Sequence, residues 1–256
     1  MIIDNHVHIG DSEKTRRAFT LQQYFKFMVQ VGIDYSLVMP NVSSITKSSV
    51  LNKEFIINYK KSKLKKFFYP LILIDPKDKN TLLQMREYND LIYGVKYHPS
   101  VSETPLTDES LYPFMEVISE YKFPVLVHCG RHWRSNISYV IKSARIFRSI
   151  VFVAAHLGGN ASELIEKAID ALYETRCDNI YLDTSAVKLP WLIEKAIKML
   201  GEDKIIFGSD EPYSDLRIGK YCIELCNISK KINDKIFYKN VRSLYNVYPN
   251  VGAQSN

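Results

Sequence analysis

Eight short β-rich runs, at 1–9, 35–40, 67–74, 92–98, 124–129, 150–156, 179–185 and 204–210, alternate with longer amphipathic stretches along the whole chain. A strand followed by a helical segment and another strand reads as a parallel βαβ unit, because parallel neighbours need a crossover long enough to hold a helix. Eight such units in 256 residues fit a closed (β/α)8 TIM barrel. An open doubly wound sheet is the alternative, and it usually carries a Gly-rich first turn. The first run ends in "HVHIGDS" instead. No linker rich in Pro, Ser or Gly interrupts the alternation, so the chain reads as one barrel domain over 1–256 with a C-terminal helical extension.

Between the runs, 21–32, 107–122, 161–174 and 190–200 carry apolar residues at helical spacing. Thr107 with Ser110, and Pro190, mark two helix starts. "LRIGKYCIELC" (216–226) reads as the eighth barrel helix and 233–247 as a terminal helix, and the tail 249–256 is expected to fray.

A hydrophobic content of 46% with 24% charged residues excludes a disordered chain. The net charge of +6 is spread over scattered lysines. The densest cluster, "YKKSKLKKFF" (59–68), reads as a solvated helix end running into a strand, with no recognition motif for nucleic acid. Cys129, Cys177, Cys222 and Cys226 form no CxxC pair, which suits free thiols in a reducing compartment. With no leader-like start and no apolar run of membrane-spanning length, the expected location is cytoplasmic, away from membranes.

The polar residues of the runs are concentrated at their C-terminal ends. His6 and His8 close the first, Lys96 and His98 the fourth, His128 the fifth, His156 the sixth and Asp210 the eighth. In a parallel barrel these ends meet at one mouth, where active sites of this architecture lie. Residues two apart on a strand share a face, so His6 and His8 point together, with Asp4 below them. Burying such groups is costly, and a bound cation offsets the cost. Nitrogen and oxygen donors without thiolate suit Zn²⁺, with Mn²⁺, Fe²⁺, Co²⁺ and Ni²⁺ as alternatives. An ion held by three histidines and a carboxylate lowers the pKa of a bound water toward ~7.

"HVH" in the first run, "VHCG" in the fifth, "AAHLGG" in the sixth and "FGSDEP" in the eighth resemble the amidohydrolase superfamily. "GVKYHPS" and the closing "IFYKNVRSLYNV" are similar to its amidohydrolase-related branch, which includes proteins of the aminocarboxymuconate-semialdehyde decarboxylase type. The resemblance covers the chain from end to end. It implies that His6, His8, His128 and Asp210 hold one divalent metal, usually zinc. It further implies that His156 stands beside the metal-bound water as base or polarising group, and that Asp210 takes a proton in a hydrolytic member. In binuclear relatives of the superfamily a carbamylated lysine at the position of Lys96 bridges two metals. In this branch Lys96 is instead expected to meet a substrate carboxylate or to pair with a neighbouring acid.

Several roles stay open at this level. His156 is a base, a second-metal ligand or a hydrogen-bonded structural histidine. Asp183 orients a ligand histidine or caps a helix, and Asp210 could also cap the helix that follows it. His98, Arg131, His132 and Trp133 fall in loops expected to line the mouth, where a guanidinium suits an anionic group; Ser135 is a candidate helix start. Tyr213 is a candidate for the pocket wall. The leading functional reading is a metal-dependent hydrolase that opens a C–N or C–O bond of a small anionic substrate. A non-oxidative decarboxylase of a small unsaturated or aromatic acid, working from the same mononuclear site, is the alternative, and a non-catalytic metal-binding barrel is a third. The expected partner is a small molecule, and a homodimer is left open.

Overall fold

The computed structural model of the chain describes residues 1–11 and 17–248. All eight runs form strands: β1 (Ile3–Ile9), β2 (Tyr35–Pro40), β3 (Phe68–Ile74), β4 (Gly94–Tyr97), β5 (Val125–Val127), β6 (Phe152–Ala154), β7 (Ile180–Asp183) and β8 (Ile205–Ile206). Each pairs in parallel with the next in sequence order. The circuit closes between β1 and the segment after β8, where Asn5 N donates to Phe207 O (2.9 Å), Asp210 N to His6 O (2.8 Å) and His8 N to Glu211 O (2.8 Å). Helices α1 (Leu21–Val31), α2 (Ser48–Lys61), α3 (Asn80–Glu87), α4 (Tyr112–Tyr121), α5 (Ile137–Ile146), α6 (Ser162–Thr175), α7 (Pro190–Leu200) and α8 (Leu216–Glu224) follow the strands in turn. This is the (β/α)8 barrel that the alternation predicts.

The apolar residues divide into two layers. An outer layer joins the outward faces of the strands to the helices and includes Val7, Val38, Val95, Met28, Ile118 and Ile193. An inner layer fills the barrel axis with Ile3, Leu37, Leu71, Leu126, Val153 and Ile206, closed from below by Val241, Tyr245 and Val247. Leu126 pairs in register with Lys96, so the lysine also faces the axis, where it is 1% exposed.

Local signals hold in part. Thr20 and Gln23 form a reciprocal capping box at the start of α1, and Pro190 opens α7. The start predicted at Thr107 and Ser110 is capped by Asp108, whose carboxylate accepts Ser110 N (3.0 Å) and begins a short turn ahead of α4. Asn136, not Ser135, caps α5, accepting Ser138 N at 2.9 Å, and Asp215, not Asp210, caps α8. The predicted terminal helix is broken into α9 (Lys230–Asp234), a π-helical turn (Lys235–Lys239) and α10 (Asn240–Tyr245). The tail 249–256 lies outside the described residues.

One expectation about β1 fails for a physical reason. Ile3 and Asp4 pair with Tyr35 and Ser36, yet Val7 pairs with Val38, so β1 holds one extra residue between them. Such a bulge reverses the alternation. Asp4 therefore turns toward α1 and receives the Tyr24 hydroxyl (3.4 Å), rather than lying beneath His6 and His8.

Candidate metal centre

His6 and His8 sit at the C-terminal half of β1 on its inward face, beyond the bulge, and both rings are buried. His6 Nδ1 lies 2.8 Å from Asp183 Oδ2, a carboxylate that can only accept, so Nδ1 carries the proton. His8 Nδ1 likewise donates to the Pro40 carbonyl at 3.3 Å. These partners assign both tautomers and leave a bare lone pair on each Nε2. The two Nε2 atoms are 3.2 Å apart, and each is 3.4 Å from Asp210 Oδ1. Three acceptors thus face one another with no proton among them, an arrangement that a bound cation satisfies. Ligand atoms of His6, His8 and Asp210 all fall within 4.8 Å of one another, and the group can hold a divalent metal ion.

Lys96 supplies one positive charge. Its Nζ donates to His6 Nε2 at 2.9 Å, its sole hydrogen bond among the described residues. Burial pulls the ammonium down to about 8 against the pull of Asp210 and Asp183. Burial also lowers His6 to about 4 and His8 below its usual value, with Lys96 adding to both effects. Asp210 goes the other way: burial raises it, but the imidazoles of His6, His8 and His156 outweigh that and keep it ionised.

Asp183, weighed in the sequence as either an orienting carboxylate or a cap, is the hub beneath this group. Its Oδ2 holds His6, while its Oδ1 accepts His156 N (2.9 Å) and Ser185 N (3.1 Å). Although burial opposes ionisation, the His6 ring, then the His156 ring and the Ser185 hydroxyl, hold it at about 2. Gly208 leaves the space for this hub, since a Cβ there would lie 3.0 Å from His6 Cβ and 3.4 Å from Asp183 Cγ.

His156 follows β6 in the left-handed region (φ 59°), as Asp210 does after β8 (φ 68°). Non-glycine residues pay about 1–3 kcal/mol for such a conformation and keep it only where the surroundings impose it. At His156 the Asp183 bond imposes it; at Asp210 the β1 bond does, together with the turn in which Asp210 O accepts Tyr213 N (2.7 Å) and Ser214 N (3.0 Å). The "LGG" after His156 gives the close approach its glycines suggest, since a Cβ on Gly158 would meet Ala168 Cβ at 2.7 Å.

His156 Nδ1 donates to Ser185 O (3.0 Å), with Ser185 Oγ also at 2.8 Å, which turns the Nε2 lone pair toward His128 Nδ1 at 3.1 Å. The proton in that contact belongs to His128 Nδ1, and His128 keeps a lone pair on Nε2. Burial, then the neighbouring His98 and His156 rings, push His128 well below its ordinary value. His98 stacks on His128 at 3.9 Å between ring centroids and contacts Ser100 Oγ at 3.1 Å. Five of the six histidines therefore form one chain of ring contacts: His8 to His6 at 5.1 Å, His6 to His156 at 5.6 Å, His156 to His128 at 5.0 Å, and His128 to His98.

The mouth loops divide the remaining candidates. Tyr213 sets its ring edge against His8 at 5.2 Å. Arg131 and His132 are exposed. Arg131 N donates to Asn160 Oδ1 (3.0 Å), and His132 Nδ1 accepts Arg134 N (3.3 Å). His132 also stacks loosely on Trp133, itself exposed. Of the four expected substrate contacts, Lys96 and His98 are the two that touch the histidine chain among the described residues. Sequence reasoning missed Ser185 and Glu211. Ser185 stands two residues after Asp183, a spacing that could have suggested a shared face. Buried Glu211 fixes the turn after Asp210 by accepting Leu216 N (2.9 Å) and pairing with Arg17 Nη1 (3.2 Å).

Comparison with known proteins places this geometry in context. The fold is similar to that of 5-carboxyvanillate decarboxylase from Sphingomonas paucimobilis, with a TM-score of 0.78, 11% identity, and 96% of this chain and 99% of that one covered. It is also similar to a dihydroxybenzoic acid decarboxylase from Polaromonas sp. JS666, solved with bound manganese and the inhibitor 2-nitroresorcinol (TM-score 0.73, 15% identity, 98% and 99% covered). A third similar fold is a putative 2-pyrone-4,6-dicarboxylic acid hydrolase from Pseudomonas putida (TM-score 0.73, 15% identity, 96% and 97% covered). No curated protein sequence matches the chain. The amidohydrolase family model matches residues 3–247, the span that holds every strand, the histidine chain and Asp210, and the protein is an enzyme of the amidohydrolase family.

Proposed function

We propose that this enzyme is a metal-dependent, non-oxidative decarboxylase of a small unsaturated or aromatic acid. The observation that carries this reading is Lys96. A buried ammonium with a single hydrogen bond sits on the rim of a metal-ligand group, and both features suit an incoming carboxylate. The sequence put hydrolysis first. The similar folds named as decarboxylases favour the reverse order, with hydrolysis as the outcome that would displace it.

His6, His8 and Asp210 would hold one divalent ion, with zinc or manganese suited to two imidazole nitrogens and a carboxylate oxygen. His128, whose Nδ1 is taken by His156, has its Nε2 left for the fourth position that the resemblance implies. When bound, the ion would supply Lewis-acid stabilisation of negative charge on the substrate. The chain's own residues do the rest. Lys96 would orient the acid, and Asp183 and Ser185 keep the rings of His6 and His156 fixed. Loss of carbon dioxide breaks one C–C bond, whose electron pair stays on the ring or alkene carbon and takes up a proton. That proton comes from solvent, and His156, whose Nε2 lies 3.1 Å from His128 Nδ1, would pass it on as general acid.

The metal-loaded enzyme should be incubated with a panel of aromatic and unsaturated acids and lactones, in D₂O and in H₂¹⁸O. Release of carbon dioxide, with deuterium at the vacated carbon, is expected. Lactone opening with ¹⁸O in the product and no carbon dioxide from any acid would replace decarboxylation by hydrolysis.

A further inference from the structure

We propose that Lys96 is an internal rival of the metal: its ammonium caps His6 Nε2 in the metal-free protein, must leave that lone pair when the ion binds, and is thereby released to the substrate's carboxylate. The inference rests on the metal-dependent reading above and deepens it.

The argument starts from the tautomer. With Nδ1 committed to Asp183 at 2.8 Å, His6 has one lone pair, on Nε2. Lys96 Nζ takes it at 2.9 Å. A metal–imidazole bond is about 2.0–2.1 Å long. It needs the same lone pair at closer range, so ammonium and ion cannot both be served. They also repel, and both are drawn by the same carboxylate, since Asp210 lies 3.4 Å from His6 Nε2 and attracts Lys96. The lysine has slack for the move. Its stem is four carbons long, and two of its three N–H groups have no partner among the described residues. Once displaced from His6 it needs acceptors, and a substrate carboxylate beside the ion offers two. Binding then has an order: the ion first, the acid second.

Calorimetric titration of metal-stripped protein with Zn²⁺ and with Mn²⁺ tests this without relying on turnover. Lys96→Met removes the charge and keeps the length, and should bind each ion at least about tenfold tighter than the unaltered protein at the same stoichiometry. Lys96→Gln should shift the same way, and melting curves show which variants are folded. Benzoate, used as a probe acid, should bind the unaltered protein more tightly after metal loading, and that gain should be smaller in Lys96→Met. Equal or weaker metal affinity in the folded variants overturns the rivalry, and so does a metal affinity of the unaltered protein that rises with added bicarbonate while that of the variants does not. If the unaltered protein binds neither ion, the metal-dependent reading itself fails, a result distinct from equal binding by both proteins.

Discussion

Leu126 and His128 are two residues apart at the end of β5, yet they belong to opposite halves of the barrel. Leu126 joins Ile3, Leu37, Leu71, Val153 and Ile206 in an apolar floor, sealed by Tyr245 from α10. His128 joins a mouth of imidazoles, carboxylates and one ammonium, most of them as buried as the floor. The floor gains free energy from every side chain it removes from water, about 25 cal/mol per Å² of apolar surface. The mouth spends it: two left-handed backbones, three facing acceptors and an under-bonded lysine. The same strands stabilise the fold at one end and store unmet bonding capacity at the other, and that capacity is what a metal and a substrate can use.

The comparison is broken most severely by removing a mouth ligand. His6→Ala should abolish metal binding and turnover, a loss well beyond the about 10–100-fold typical of outer-shell partners, and should lower the melting temperature, because Asp183 and Lys96 lose a buried partner. Asp210→Asn should abolish turnover and weaken the ion's binding beyond that range while leaving the melting temperature of the metal-free protein unchanged or raised. Metal analysis and thermal melts check both halves. Leu126→Ala, in the floor, should do the opposite, lowering stability by about 2–5 kcal/mol in denaturant titrations while one ion is still bound. Asp183→Asn should cost about 10–100-fold in metal affinity by calorimetry, since it weakens the hold on the His6 ring and on His156 N.

The smallest effect is a pH dependence. Unfolded histidines titrate near 6.5, whereas His6 titrates at about 4, and His8 and His128 also lie below their usual value. Below pH 6.5 the unfolded chain therefore binds more protons at these positions, and the metal-free protein should lose stability as pH falls from 6.5 toward 4. Asp4, raised to about 7 chiefly by burial, works against this, because its folded form binds the extra proton over the same range. The three histidines lower the urea midpoint as pH falls, and Asp4, with Asp75 and Glu211, which burial also raises, offsets part of that loss. Asp4→Asn should steepen the fall.

The fold was almost wholly legible, because a period of strand and helix repeats along the chain and each strand is an apolar run. The ends of the runs were less so. The eighth was read as 204–210, but only Ile205–Ile206 forms the ladder with β7. Phe207 through Glu211 leave it to bond with β1 and with Ile236. Closure of a barrel is a long-range event that periodicity does not encode. The bulge in β1 is of the same kind, and it sent Asp4 to the wrong face. At the site, His6, His8, Lys96, His98, His128, His156 and Asp210 were visible because polar residues at the ends of apolar strands stand out. Arg131 and His132, which the sequence places in a loop expected to line the mouth, are exposed, and no ring contact joins His132 to the histidine chain among the described residues. Ser185 and the carbonyl of Pro40 stayed hidden because backbone and hydroxyl partners of a ring nitrogen leave no mark in composition.

The central claim is that His6, His8 and Asp210 meet on one divalent ion. X-ray absorption at the metal edge of the loaded protein, compared with the Asp210→Asn variant, addresses it most directly. The account predicts one ion per chain, with at least two imidazole scatterers and an oxygen shell that is lost or altered in the variant. An ion bound without imidazole, or a spectrum identical in the two proteins, would contradict it.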